Sequence, residues 1–179
     1  MSIIDYFYII EPQLSLIKNV RELKIMANKF YVKLKHGEKL YMAGDDIEVK
    51  NVSETAIDYR FFVDNDAVSG ILRREQVVYI VNVDNFVNMD YWTKKLSVPV
   101  DALKRPMDSE VFSVRVQLID YSSDFIVKDC ACFELEELAE TPYIADYVFT
   151  DAVGDEIARV PRELVNYICR IDTMELDTV

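Results

Sequence analysis

Residues Gly70-Ile-Leu-Arg-Arg-Glu-Gln-Val-Val-Tyr-Ile80 decide how this chain is read, because Ala158-Arg-Val-Pro-Arg-Glu-Leu-Val-Asn-Tyr-Ile168 repeats them 88 positions later. Arg, Glu, Val, Tyr and Ile recur at matching places. Asp58-Tyr-Arg-Phe61 stands over Asp146-Tyr-Val-Phe149 at the same offset of 88, and Phe30-Tyr-Val-Lys-Leu34 over Phe112-Ser-Val-Arg-Val116 at 82. Three blocks in one order point to a structural unit used twice, with six more residues in the loops of the second copy.

The repeated blocks are strand-like. Lys29-Phe-Tyr-Val-Lys-Leu-Lys35, Asp46-Ile-Glu-Val-Lys50 and Val111–Leu118 alternate polar and apolar residues, and β-branched and aromatic side chains fill them. Val77-Val-Tyr-Ile-Val-Asn-Val83 is apolar almost throughout, as a strand buried on both faces is. With 4 glycines and 5 prolines in the chain, the turns between strands fall to Asn, Asp and Ser. Several short strands at this spacing predict an all-β barrel or sandwich. The N-terminal segment differs: after Pro12, residues Leu14, Ile17, Val20, Leu23 and Met26 recur every third position. We read 12–28 as a short amphipathic helix, with a strand across Glu22–Ala27 as its rival.

Each copy spans some fifty residues and resembles an SH3-like barrel. Leu40-Tyr-Met-Ala-Gly-Asp-Asp-Ile-Glu-Val49 is similar to the family's Gly-Asp turn and following strand, and Tyr59, Phe61 and Phe62 stand where it carries paired aromatics. Gly70–Val77 and Ala158–Val165 have the spacing of its strand, 3₁₀ turn and returning valine. The resemblance implies an all-β chain of two SH3-like barrels in tandem with a short N-terminal helix. Its divisions are 1–29 (helical segment), 30–81 (first barrel), 82–111 (connector) and 112–179 (second barrel and tail). It does not carry over proline-rich peptide binding. Neither copy has the groove tryptophan, the groove proline is Arg73 in one copy and Pro161 in the other, and the tyrosine after it is Gln76 or Leu164.

Composition bounds the function. The 179 residues hold 20 Lys+Arg against 32 Asp+Glu, a net charge of −12, with 51% hydrophobic residues. That excludes a disordered chain and a generally basic nucleic-acid binder. No apolar run is long enough for a membrane helix. Asp5 interrupts the apolar N-terminus, which lacks a positive lead, so no secretory signal is expected and the cytoplasm is the expected location. The three cysteines, Cys130, Cys132 and Cys169, then read as reduced thiols. Alternation along one strand predicts that Cys130 and Cys132 share a core-facing side. The single histidine, His36, lies in the turn-like Lys35-His36-Gly37-Glu38.

No phosphate-loop, dinucleotide, nucleophile-elbow or zinc-protease motif occurs. Asp45-Asp46 and Asp64-Asn65-Asp66 read as turn chemistry rather than cation sites. Neither a catalytic residue nor a cofactor or metal is expected.

The charge is lopsided. Residues 1–60 carry nine basic and nine acidic side chains, 61–120 seven and nine, and 121–179 four and fourteen. Phe133-Glu-Leu-Glu-Glu-Leu-Ala-Glu140 is the densest stretch. Burying Phe133 and Leu135 would turn Glu134, Glu136, Glu137 and Glu140 outward, with Asp151, Asp155 and Glu156 in a later loop. Tyr91-Trp92, in the connector, is the candidate aromatic contact. These residues predict a non-enzymatic protein-binding module that meets a partner with a basic surface, and neither nucleic acid nor membrane. The alternative is an acidic inhibitor of viral or phage type that mimics nucleic acid on a basic site. A carboxylate-dependent enzyme is the third reading.

Overall fold

The computed structural model describes residues 29–53, 56–63, 67–88, 103, 105–106, 109–119, 124–140 and 143–171. The proposed helix over 12–28 lies outside them. The described chain is strand and short 3₁₀ turns: β1 Lys29–Leu34, β2 Lys39–Ala43, β3 Asp46–Asn51, β4 Ile57–Val63, β5 Ala67–Arg73, β6 Val77–Asn82 and β7 Phe86–Asn88, followed by β8 Phe112–Leu118, β9 Phe125–Cys130, β10 Cys132–Ala139, β11 Ile144–Thr150, β12 Glu156–Pro161 and β13 Val165–Arg170. All-β character is therefore established. Among the described residues no helix is long and apolar enough to cross a membrane.

The two halves repeat one pairing scheme. In the first, β1 pairs with β2 and β6, and β4 with β3 and β5; in the second, β8 pairs with β9 and β13, and β11 with β10 and β12. The 88-residue offset holds at the turn that closes each half. Arg74–Gln76 and Arg162–Leu164 are both 3₁₀ turns, entered from Arg73 (φ −70°, ψ 126°) and Pro161 (φ −54°, ψ 126°). The ring of Pro161 imposes that φ, and Arg73 adopts it unforced.

The halves do not form two separate closed barrels. Their sheets are open and partly shared. β12 pairs with β6 through Ala158↔Val81 and Arg159↔Ile80, giving one six-stranded antiparallel sheet in the order β10-β11-β12-β6-β1-β2. β7, inside the expected connector, pairs with β9 and completes a four-stranded sheet β13-β8-β9-β7, while β3-β4-β5 stand as a third sheet.

The six-stranded sheet is the middle of three layers. Phe30, Val32, Val77 and Ile80 on one face meet Ile47, Tyr59 and Phe61 of the three-stranded sheet. On the other face Tyr31, Tyr79, Val81 and Val160 meet Val114, Val116, Phe125 and Val127 of the four-stranded sheet. This is why β6 is apolar at successive positions: all six of its residues are buried, because both of its faces are covered. Each large apolar side chain so buried stabilises the fold by roughly 1.5–3 kcal/mol. Aromatic stacking ties the layers at the seam, Tyr31 on Phe86 with ring centres 4.7 Å apart and Tyr79 on Phe125 at 4.2 Å.

Candidate functional site

Among the described residues β10 is an edge of the central sheet, paired with β11 alone. It starts where the chain turns sharply. Asp129 takes a left-handed φ of 58°, and Ala131 stands between β9 and β10. That turn corrects the expected placement of the cysteines: Cys130 is buried and Cys132 is exposed, because they belong to different strands. Burial pushes the Cys130 thiol up to about 12, so it stays protonated, and its Sγ lies 3.1 Å from the Cys132 carbonyl oxygen.

From Cys132 to Glu137 every residue of β10 is exposed. This corrects the expectation that Phe133 and Leu135 point into a core: they remain 36% and 39% exposed. Phe133 does stack on buried Phe149 (5.8 Å) and meets Phe112 edge-on (6.4 Å), but nothing among the described residues closes over its outer side. Glu134, Glu136, Glu137 and Glu140 are all exposed, as expected. Alternation splits them, however, with Glu134 and Glu136 on one face of the strand and Glu137 on the other. Glu136 is also engaged, its Oε2 2.6 Å from Arg159 Nη1. Among the described residues Glu134, Glu137 and Glu140 have no ion-pair partner.

Beneath Glu136 lies a buried charged seam between the halves. Asp146 is fully buried. Its Oδ2 accepts from Tyr59 Oη (2.7 Å) and Arg159 Nη1 (3.2 Å), and its Oδ1 from Arg74 Nε (2.8 Å). Arg74 also grips Glu163 through both terminal nitrogens (2.8 and 2.9 Å) and donates to the Ala145 carbonyl. Arg159 grips Glu156 through Nε and Nη2 (2.9 and 2.8 Å). Two bidentate pairs thus flank one shared carboxylate, an arrangement that satisfies buried charge which unpaired would cost several kcal/mol. Burial raises the Glu156 carboxyl above its ordinary range despite Arg159. At Glu163 burial also pushes upward, but the hydrogen bonds from Arg74 outweigh it and hold the carboxyl low. Burial, with Asp146 beside it, drives the Tyr59 hydroxyl well up, so it is a permanent donor.

No family model, no curated protein and no solved structure matches the chain.

The other expected site residues divide. Glu156 belongs to the seam rather than to an acidic loop. Asp151 shapes its own turn, its Oδ1 accepting from the Val153 and Asp155 amides at 3.0 Å, with Gly154 at φ 94°. Asp155 is exposed on that turn. Tyr91 and Trp92 lie outside the described residues, as do Asp64–Asp66. His36 is exposed in the β1–β2 turn, its Nε2 3.0 Å from Gln76 Oε1. Among the described residues no group of three or more His, Cys, Asp or Glu could hold a metal ion.

Sequence reading missed Tyr59, Arg74, Asp146, Arg159 and Glu163 as one constellation. The repeat contained a signal: Asp146 and Arg74 both lie in repeated blocks. A repeated polar residue reads equally well as a surface position until the partner half covers it.

Proposed function

We propose that this chain is a non-enzymatic protein-binding module of two SH3-like units, acting in the cytoplasm on a partner with a basic surface. The matching pairing scheme of the two halves supports the SH3-like units, fused here through β6 and β12. The observation that carries the binding role is the row of exposed carboxylates on β10 and just after it, of which Glu134, Glu137 and Glu140 have no ion-pair partner among the described residues.

Three cations of the second half are already engaged. Arg159 is occupied by Asp146, Glu156 and Glu136; Arg162 lies over the Tyr143 ring and Arg170 over the Phe112 ring. A negative field so placed attracts a basic surface and repels polyphosphate. Because alternation puts the carboxylates on both faces of the strand, they suit a partner that wraps the edge better than a mimic of one continuous phosphate row.

Titration with a lysine decamer tests this. Affinity should fall steeply with salt. Charge reversal at Glu134 and Glu137 should weaken binding by about tenfold at low salt while unfolding midpoints stay put. Equal affinity of the variant and the parent protein would contradict the assignment. Glu136 is left untouched because it holds Arg159.

A further inference from the structure

β3 and β10 occupy the same place in their halves. Ile47 pairs with Phe61 and Val49 with Tyr59; Phe133 pairs with Phe149 and Leu135 with Tyr147. Since Phe61 and Tyr59 correspond to Phe149 and Tyr147 at the 88-residue offset, Asp46-Ile-Glu-Val-Lys50 corresponds to Cys132-Phe-Glu-Leu-Glu136. Among the described residues both are edge strands, each with a row of main-chain groups turned away from its one partner. β3 buries Ile47 and mixes its charges. β10 leaves Phe133 and Leu135 open and has Glu136 where β3 has Lys50. The open edge also has a defined end: Asn51 Nδ2 donates to the Leu138 carbonyl at 3.1 Å, so the free stretch runs over 132–137.

We propose that β10 is a strand-addition edge, which takes an extended segment of a partner protein, alternating apolar and basic residues, as a further strand of the central sheet. This rests on the reading that a basic partner docks here, and specifies how it docks. Main-chain hydrogen bonds to 132–137 supply register. Apolar side chains on one face of the incoming strand cover Phe133 and Leu135, completing the contact that Phe112 and Phe149 begin. Lysines or arginines on its other face meet Glu134 and Glu136. A second copy of this chain is a poor occupant, because pairing β10 with itself sets glutamates beside glutamates.

The probe is a capped ten-residue peptide of alternating lysine and valine, compared with the same peptide N-methylated at every backbone amide and with the lysine decamer. N-methylation keeps the charge and removes the main-chain donors. Methylation should weaken binding by about tenfold or more, as loss of two or three main-chain hydrogen bonds would. Hydrogen exchange should slow at alternate amides within 132–137 when the unmethylated peptide binds. If the methylated peptide binds as well as its parent, or if protection appears at β2, β7 or β13 instead, strand addition is overturned while acidic docking stands. If neither lysine peptide nor the decamer binds at low salt, both readings fall. Peptide-driven self-association with no protection at 132–137 also overturns the proposal.

Discussion

In the first half β3 reads Asp46-Ile-Glu-Val-Lys50 and buries Ile47 to 6%; in the second, β10 reads Cys132-Phe-Glu-Leu-Glu136 in the same position and leaves Phe133 36% exposed. Local pattern is the same in both: apolar and polar residues alternate, and each strand pairs with the next strand along the chain, β3 with β4 and β10 with β11. What differs is the layer above. β1 and β6 of the central sheet lie over β3 and close its apolar face. β10 itself belongs to the central sheet, at its end. Alternation thus specifies that a strand has two unlike faces, and tertiary placement decides which of them is covered.

The same contrast governs Asp58 and Asp146, equivalent in the repeat. Asp58 lies half-buried on β4, on the face away from Tyr59 and Phe61, and among the described residues its Oδ1 has no hydrogen-bond partner. Asp146 lies on the face of β11 that the first half covers, and needs Tyr59, Arg74 and Arg159 to satisfy it.

The largest effect expected from breaking this comparison is therefore at Asp146. Asp146→Ala should cost about 3–5 kcal/mol in denaturant unfolding by leaving two buried guanidinium groups short of a partner. Asp58→Ala should cost no more than about 1 kcal/mol. Equal costs would mean that the seam does not hold the halves together.

Next comes the strand pair. Ile47→Ala should lose about 2–4 kcal/mol, and Leu135→Ala, whose side chain is already 39% exposed, about 1 kcal/mol or less.

The pH dependence gives a smaller, signed test. Because Arg74 holds the Glu163 carboxyl low, the folded chain keeps it ionised while the unfolded chain takes up a proton, so its stabilisation is lost as pH falls below the ordinary glutamate range. Glu163→Gln should flatten the fall of Tm with acidification. Glu156 acts with the opposite sign, since burial raises its carboxyl and protonation favours the folded form.

The smallest effect is at Gly70. A Cβ there would meet the terminal methyl of Met42 at 2.0 Å, and that flexible end can move. Gly70→Ala should change stability by less than about 1 kcal/mol, in keeping with Ala158 at the equivalent position.

Much of the fold was legible in the sequence because the repeat blocks are strand, turn and strand in both halves. The both-face burial of β6 was legible from its unbroken apolar run, and the His36 turn from its flanking strands. The β6–β12 junction was not, since two residue pairs leave no pattern beyond ordinary strand composition. β7 was hidden because three residues are too few to show a period. At the candidate site the three glutamates of β10, and Glu140 just after it, were legible as exposed. The inward expectation for Phe133 and Leu135 failed because, among the described residues, the layer above this end of the shared sheet reaches only as far as the edge-on contact of Phe112 with Phe133. The cysteines separated because β9 ends at Cys130 and β10 begins at Cys132, with Ala131 between them.

The central claim is that the open acidic edge of β10 selects a basic, strand-forming segment. Charge exchange tests it most directly. Glu134→Lys and the parent protein are each titrated with alternating lysine–valine and glutamate–valine peptides. The parent should prefer the lysine peptide, and the variant should reverse that order, with both preferences fading in salt. A variant that still prefers the lysine peptide as strongly as the parent does would contradict the account.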